Sequence, residues 1–166
     1  MPEKGTLERA REDAREGKSP STQAGEFVKE EMDHIREGKH GAKSTKQAIA
    51  IGLSKARRAG VKLAPPKRGK TSEATRKKAE QDLSKGRTPA KKKSANRSRA
   101  VENALKREGH SAASHASLSK QAKQAARQRG SAARKQAARK AVRTKGATGG
   151  SVAARKAARA RARRAA

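Results

Sequence analysis

The stretch STKQAIAIGLSKARRAG, residues 44–60, decides how this chain folds. Ser44, with Gln47 three residues on, forms a capping box that satisfies the first backbone N–H groups of a helix. Gly60 supplies the stop. At about 100° per residue, Ile49, Leu53 and Ala56 share one face, with Thr45, Ala48 and Gly52 beside it. Lys55 and Arg58 fall opposite, Arg57 lies on the flank, and Ile51 points with the basic side. A helix with one apolar face has to bury it against something.

The preceding segment offers the partner. Ser19-Pro20 reads as an N-cap followed by proline at the first helical position, and the helix stops at Gly38. Ala24, Phe27, Val28, Met32 and Ile35 fall within an arc of about 140°. Glu31 intrudes on that arc and is expected as an edge carboxylate with a solvated head. Residues 38–43 form the loop. The expectation is an antiparallel helical hairpin over 19–64, with Gly52 and the alanines allowing close approach and Val61 and Leu63 folding back over the seam. So small a core is marginal, and homodimerisation through 20–63 is expected to help, with Ile51 at the second contact. Residues 6–16 read as a short charged helix with only Leu7 to bury, fraying when alone.

The rest of the composition limits what else can fold. Leu, Ile, Val and Phe number 15 of 166 residues, so the chain cannot build a large core. The fold class is therefore all-α: an N-terminal helical hairpin with a small core, followed by largely disordered or isolated basic helices. The domains read as 1–18, a charged N-terminal helix; 19–64, the hairpin; 65–109, a basic linker with polar helices near 71–85 and 94–108; and 110–166, a cationic tail rich in Ala, Lys and Arg. No cysteine is present, which rules out disulfides and thiolate sites. The first residues carry no apolar run, so no secretory signal is expected, and Ala48–Leu53 is far too short to span a bilayer.

Charge is unevenly placed on a chain whose net charge is +30. Residues 1–40 carry 8 basic and 10 acidic side chains, 41–109 carry 21 and 5, and 110–166 carry 16 and none. Such a balance calls for a polyanion. Cations at a helix C-terminus are mildly stabilising, but Lys55, Arg57, Arg58, Lys62, Lys67, Arg68 and Lys70 exceed what capping needs. Together with Lys46 they are expected to face phosphate. In the tail, pentads such as Ala132-Ala-Arg-Lys-Gln and Ala137-Ala-Arg-Lys-Ala wind basic residues right round a helix. That leaves no apolar stripe for a membrane surface or a coiled coil, and the tail is expected to gain helix only when phosphates neutralise it. Its expected contacts are Arg127, Arg129, Arg134, Lys135, Arg139, Lys140, Arg143, Lys145, Arg155, Lys156, Arg159, Arg161, Arg163 and Arg164. Ser44-Thr-Lys-Gln-Ala and Ser119-Lys-Gln-Ala share a phrase, which either a degenerate duplication or low complexity would produce.

Catalytic residues are not apparent, and no cofactor or small-molecule substrate is implied. His34, His40, His110 and His115 show no metal-ligand pattern and are expected as solvated histidines. With no Trp or Tyr and a single Phe, the chain lacks the stacking platforms of single-stranded nucleic-acid modules. What remains is backbone-phosphate contact with counterion release.

Residues 19–28 (SPSTQAGEFV), 36–60 (REGKHGAKSTKQAIAIGLSKARRAG) and 109–115 (GHSAASH) resemble an uncharacterised family of small basic bacterial proteins labelled DNA-binding or plasmid stabilisation proteins. The tail is similar to linker-histone-like Ala/Lys/Arg-rich bacterial proteins. The resemblance implies a bacterial cytoplasm and nucleoid, and it brings no catalytic residues. The function expected is non-sequence-specific, histone-like DNA binding, with DNA compaction or plasmid maintenance as outlets. The alternatives are an RNA- or ribosome-associated basic protein, and an adaptor whose acidic head binds a protein partner.

Overall fold

A computed structural model describes residues 2–88 and 94–143. The described residues are helical, with no strand among them. The chain divides into two units, residues 1–121 and 122–166. Helix α1 spans Lys4–Arg15, α2 Pro20–Arg36, α3 Thr45–Arg58, α4 Glu73–Lys85 and α5 Ala95–Lys106; a 3-10 turn at Ser111–Ala113 precedes α6, His115–Gln128.

The hairpin of α2 and α3 is the centre of the first unit. Ser19 caps α2 by accepting from the Thr22 N–H, with Pro20 at the first helical position. Ser44 caps α3 by accepting from the Gln47 N–H. The Gln47 side chain reaches back one residue further than a capping box requires and accepts from the Lys43 N–H at 2.8 Å. The two helices run antiparallel. Met32 and Ile35 near the end of α2 share a cluster with Ala48 near the start of α3, and Ala24 and Phe27 share another with Ala56. Val61 and Leu63 fold back onto the second cluster, as the sequence suggested.

The buried face of α3 differs from the face drawn from its largest side chains. Thr45, Ala48, Gly52, Ala56 and Arg57 are buried, while Ile49 and Leu53 are only partly buried beside them. Close approach is the reason. A Cβ on Gly52 would lie 2.7 Å from the Val28 Cα, so the small residues face α2 and the branched ones line the edges.

Neighbouring elements cover this hairpin from within the same chain. Helix α1 lies on α2 and buries Thr6 and Ala10. Helix α4 packs on α3 through Ala79 and Asp82, so this part of the basic middle region is not isolated. The segment 105–113 docks on the hairpin loop. The Gly41 N–H donates to the Leu105 carbonyl at 2.9 Å and the Ala42 N–H to the Gly109 carbonyl at 3.1 Å. The Thr45 hydroxyl donates to the Ala112 carbonyl at 2.7 Å, and Arg36 Nε donates to the Ala113 carbonyl at 3.1 Å. Ala112 and Ala113 thereby join Met32, Ile35, Ala42 and Ala48 in one core cluster. A second copy of the chain is not needed to cover these faces.

The two loop segments also share a sequence pattern. Arg36-Glu-Gly-Lys-His-Gly-Ala-Lys-Ser44 corresponds to Arg107-Glu-Gly-His-Ser-Ala-Ala-Ser114 with one residue fewer. Each phrase follows a helix, and each ends on a serine that caps the next, Ser44 for α3 and Ser114, through the Ser117 N–H, for α6. Both following helices have 14 residues, and each has a positive-φ glycine two residues beyond, Gly60 or Gly130.

In the second unit the described residues run from 122 to 143. After Gly130 the chain is helical again over 130–143, and every side chain from 127 to 143 is exposed. Its alanine content favours helix without any packing face, which is why a segment expected to be unfolded on its own takes this form.

Candidate functional site

Two sets of charged residues emerge, one turned inward and one outward. The inward set begins with Glu30 and Glu31 on α2, which are 4% and 0% exposed. Glu31 occupies the position between Phe27 and Ile35 on the packed face, so its carboxylate enters the seam and is not solvated at an edge. Lys55, flanking Gly52 on α3, neutralises both, with Nζ 2.6 Å from Glu31 Oε2 and 3.3 Å from Glu30 Oε1. Glu30 also accepts from the Glu3 N–H at 3.1 Å. His40 in the loop places Nε2 3.3 Å from Glu31 Oε1 and donates through Nδ1 to the Gly41 carbonyl at 3.1 Å. His34 Nε2 sits 2.8 Å from Glu3 Oε1. Hydrogen bonds from His34 and then from Lys39 hold the Glu3 carboxyl below its usual range.

Asp82 on α4 forms a second inward centre at 2% exposure. It accepts from the Ser54 hydroxyl at 2.6 Å and from Arg58 Nε at 2.8 Å. Burial pushes this carboxyl up. The Ser54 and Arg58 hydrogen bonds more than offset that, so it titrates below the ordinary aspartate range. Arg57, 7% exposed, donates to the carbonyls of Leu63 at 3.2 Å and Ala64 at 3.4 Å. Burial lowers its guanidinium pKa, with the Asp82 charge acting the other way.

These contacts revise the basic patch read from the sequence. Lys55 and Arg57 are engaged inside the protein, compensating buried carboxylates and fixing the chain after α3, while Arg58, at an exposed position, spends its charge on Asp82. Lys46, Lys62, Lys67, Arg68 and Lys70 are exposed, as are Arg127, Arg129, Arg134, Lys135, Arg139, Lys140 and Arg143 in the second unit. Arg134 Nε donates to the Gly130 carbonyl at 3.2 Å, one helical turn back. Lys145, Arg155, Lys156, Arg159, Arg161, Arg163 and Arg164 lie outside the described residues.

The carboxylates of the N-terminal region are largely occupied too. Glu26 pairs with Arg9 at 2.7 Å, Asp13 and Glu16 with Lys18 at 2.7 Å each, and Glu37 with Lys39 at 2.9 Å. The acidic balance read from residues 1–40 is therefore spent mainly on internal pairs. The sequence missed the roles of Glu31, Asp82 and Lys55. The signal within reach was Glu31, which sits four residues from both Phe27 and Ile35.

Among the described residues, no helix is long and apolar enough to cross a membrane. No curated protein and no solved structure matches the chain. Residues 15–68, which hold α2, α3, the loop between them and the Glu30–Glu31–Lys55 cluster, match the model of a family of unknown function, DUF6496.

Proposed function

We propose that this protein binds nucleic acid without sequence preference, through backbone phosphates, and acts on DNA as a nucleoid-associated, histone-like protein. The observation that carries the proposal is the helical stretch 122–143. It holds eight basic residues and no acidic one, and every side chain from 127 onward is exposed. A helix cationic on all sides and so exposed can meet phosphates from any direction, and each contact releases counterions. Lys62, Lys67, Arg68 and Lys70, just beyond α3, extend the basic surface of the first unit. The proposal places the protein in the bacterial nucleoid, with DNA compaction or plasmid maintenance as outcomes. Dimerisation through 20–63 is not part of it, because α1, α4 and the 111–113 turn already cover the hairpin.

A salt titration tests this. The full chain and residues 1–121 are compared on two unrelated DNA duplexes and one structured RNA. Equal affinity for both duplexes, a steep dependence on salt, and a shallower one for 1–121 are the expected outcomes. Eight duplex phosphate contacts in 122–143 would contribute a slope of about −7 in log affinity against log salt. Selective tight binding of the RNA would move the function to RNA. Weak binding with a shallow slope at physiological salt would reject the nucleic-acid reading.

A further inference from the structure

We propose that Glu31, His34 and His40 form a binding site for a divalent transition-type cation of the Zn2+ class, built into the end of α2 and the loop after it. One potential ligand atom from each lies within 4.8 Å of the others. Glu31 and His34 are three residues apart on α2, a spacing that puts both on one helical face and that four-helix metal bundles use for paired ligands. His40 arrives from the loop, so the three come from two directions.

The state of Glu31 points to a ligand. It is fully buried, and neither carboxylate oxygen makes a hydrogen bond of ordinary geometry. The Lys55 ammonium sits against Oε2 at 2.6 Å, leaving Oε1 facing His40 Nε2 at 3.3 Å. His40 donates from Nδ1 to the Gly41 carbonyl, so in the neutral ring Nε2 carries a lone pair. A lone pair and a carboxylate oxygen repel each other unless a proton or a metal cation lies between them, and this contact has no hydrogen bond of ordinary geometry. Two ligand atoms, each about 2.0–2.1 Å from a tetrahedral zinc, stand about 3.3 Å apart. The His40–Glu31 pair already has that separation.

The surroundings have the features of an outer shell. Metal-bound histidines usually engage their second nitrogen with a carbonyl or carboxylate. The Gly41 carbonyl serves His40, and the Glu3 carboxylate serves His34 at 2.8 Å. A solvent-open cleft lined by Glu3, Thr6, Arg9, Glu30, Asp33, His34, Glu37 and Lys39 reaches the cluster at His34. Imidazole and carboxylate donors suit zinc, nickel, copper or iron better than calcium or magnesium. Bound there, the ion would pin the 38–44 loop to α2.

The test uses the full chain, stripped with a chelator and titrated with Zn2+, and with Co2+ as an optical probe. One equivalent should bind, with visible Co2+ bands and a raised melting temperature. His34→Gln and His40→Gln should each weaken binding at least about tenfold, and Glu3→Gln about 10–100-fold. His115→Gln, at an exposed position away from the cluster, should leave it unchanged. Long-range 15N–1H spectra of the unmutated chain keep the test independent of whether the variants fold. Zn2+ should shift the ring nitrogens of His34 and His40. Shifts confined to His110 and His115, no shifts at all, or equal affinity in the His34 and His40 variants would overturn the site.

Discussion

Lys55 and Asp82 are the residues on which the helical unit depends electrostatically. A buried carboxylate is tolerated only when paired, and removing the partner leaves an uncompensated charge in the interior. Lys55→Ala strips the shared cation from Glu30 and Glu31 and should destabilise the unit by roughly 3 kcal/mol. Lys46→Ala, at an exposed position one residue into the same helix, should fall within about 0.5 kcal/mol of the parent. Urea unfolding of the two variants would compare them directly, and equal midpoints would mean that Lys55 does not carry this load. Asp82 gives a pH signature. Its folded pKa lies below the unfolded value of about 3.9. The stability it adds is complete above that unfolded value and is lost as pH falls through the folded one. Asp82→Asn should therefore be less stable than the parent at neutral pH, and the gap should close as pH drops below about 4. A gap that persists unchanged into strong acid would assign the effect to packing instead of charge.

At the scale of elements, the sequence was informative about existence and ends and less so about faces. Ser19-Pro20, Ser44 and Gly60 mark chain positions where backbone N–H groups or a left-handed turn need particular residues, and α2 and α3 begin and end there. On α3 the residues read as the apolar side do face α2, but the small ones, Thr45, Ala48, Gly52 and Ala56, take the centre of the contact and Ile49 and Leu53 its edges. Backbone approach sets that order, and the facing helix fixes how tight it is: a Cβ on Gly52 would meet Val28 Cα at 2.7 Å and the Phe27 carbonyl at 3.0 Å. Gly52→Ala should push α2 and α3 apart, costing about 1–3 kcal/mol despite alanine's better helix propensity. A neutral or raised melting temperature would show that the helices can separate freely. The docking of 105–113 escaped the sequence for a related reason. It rests on backbone donors and alanines, which carry no hydropathy signal. Gly41→Ala, whose Cβ would lie 1.9 Å from the Glu108 carbonyl, should undock this segment. Hydrogen exchange at the Gly41 and Ala42 amides, now bonded to the Leu105 and Gly109 carbonyls, should then become fast while the α2 amides stay protected.

For the whole molecule, net charge is a poor guide to where a polyanion would sit, because cations in sequence are of two physical kinds. Lys55 and Arg58 are paired with carboxylates, and Arg57 is buried with its guanidinium on two carbonyls, so none is free to meet a phosphate. Lys67, Arg68 and Lys70 follow Pro65-Pro66 on exposed chain, and nothing acidic lies between Ala59 and Ser72. The two kinds look alike in the sequence, since the deciding carboxylates lie 24 to 25 residues away along the chain. They separate in a binding experiment. Replacing Lys67, Arg68 and Lys70 together by alanine should leave stability unchanged and, if all three meet duplex phosphate, reduce the salt slope by about 2.7. Arg58→Ala should do the reverse, lowering stability through Asp82 while leaving the slope as it was. If the slope instead falls with Arg58→Ala and holds in the triple variant, the phosphate-facing surface of the first unit lies along α3, and its ion pairs must open for DNA to bind.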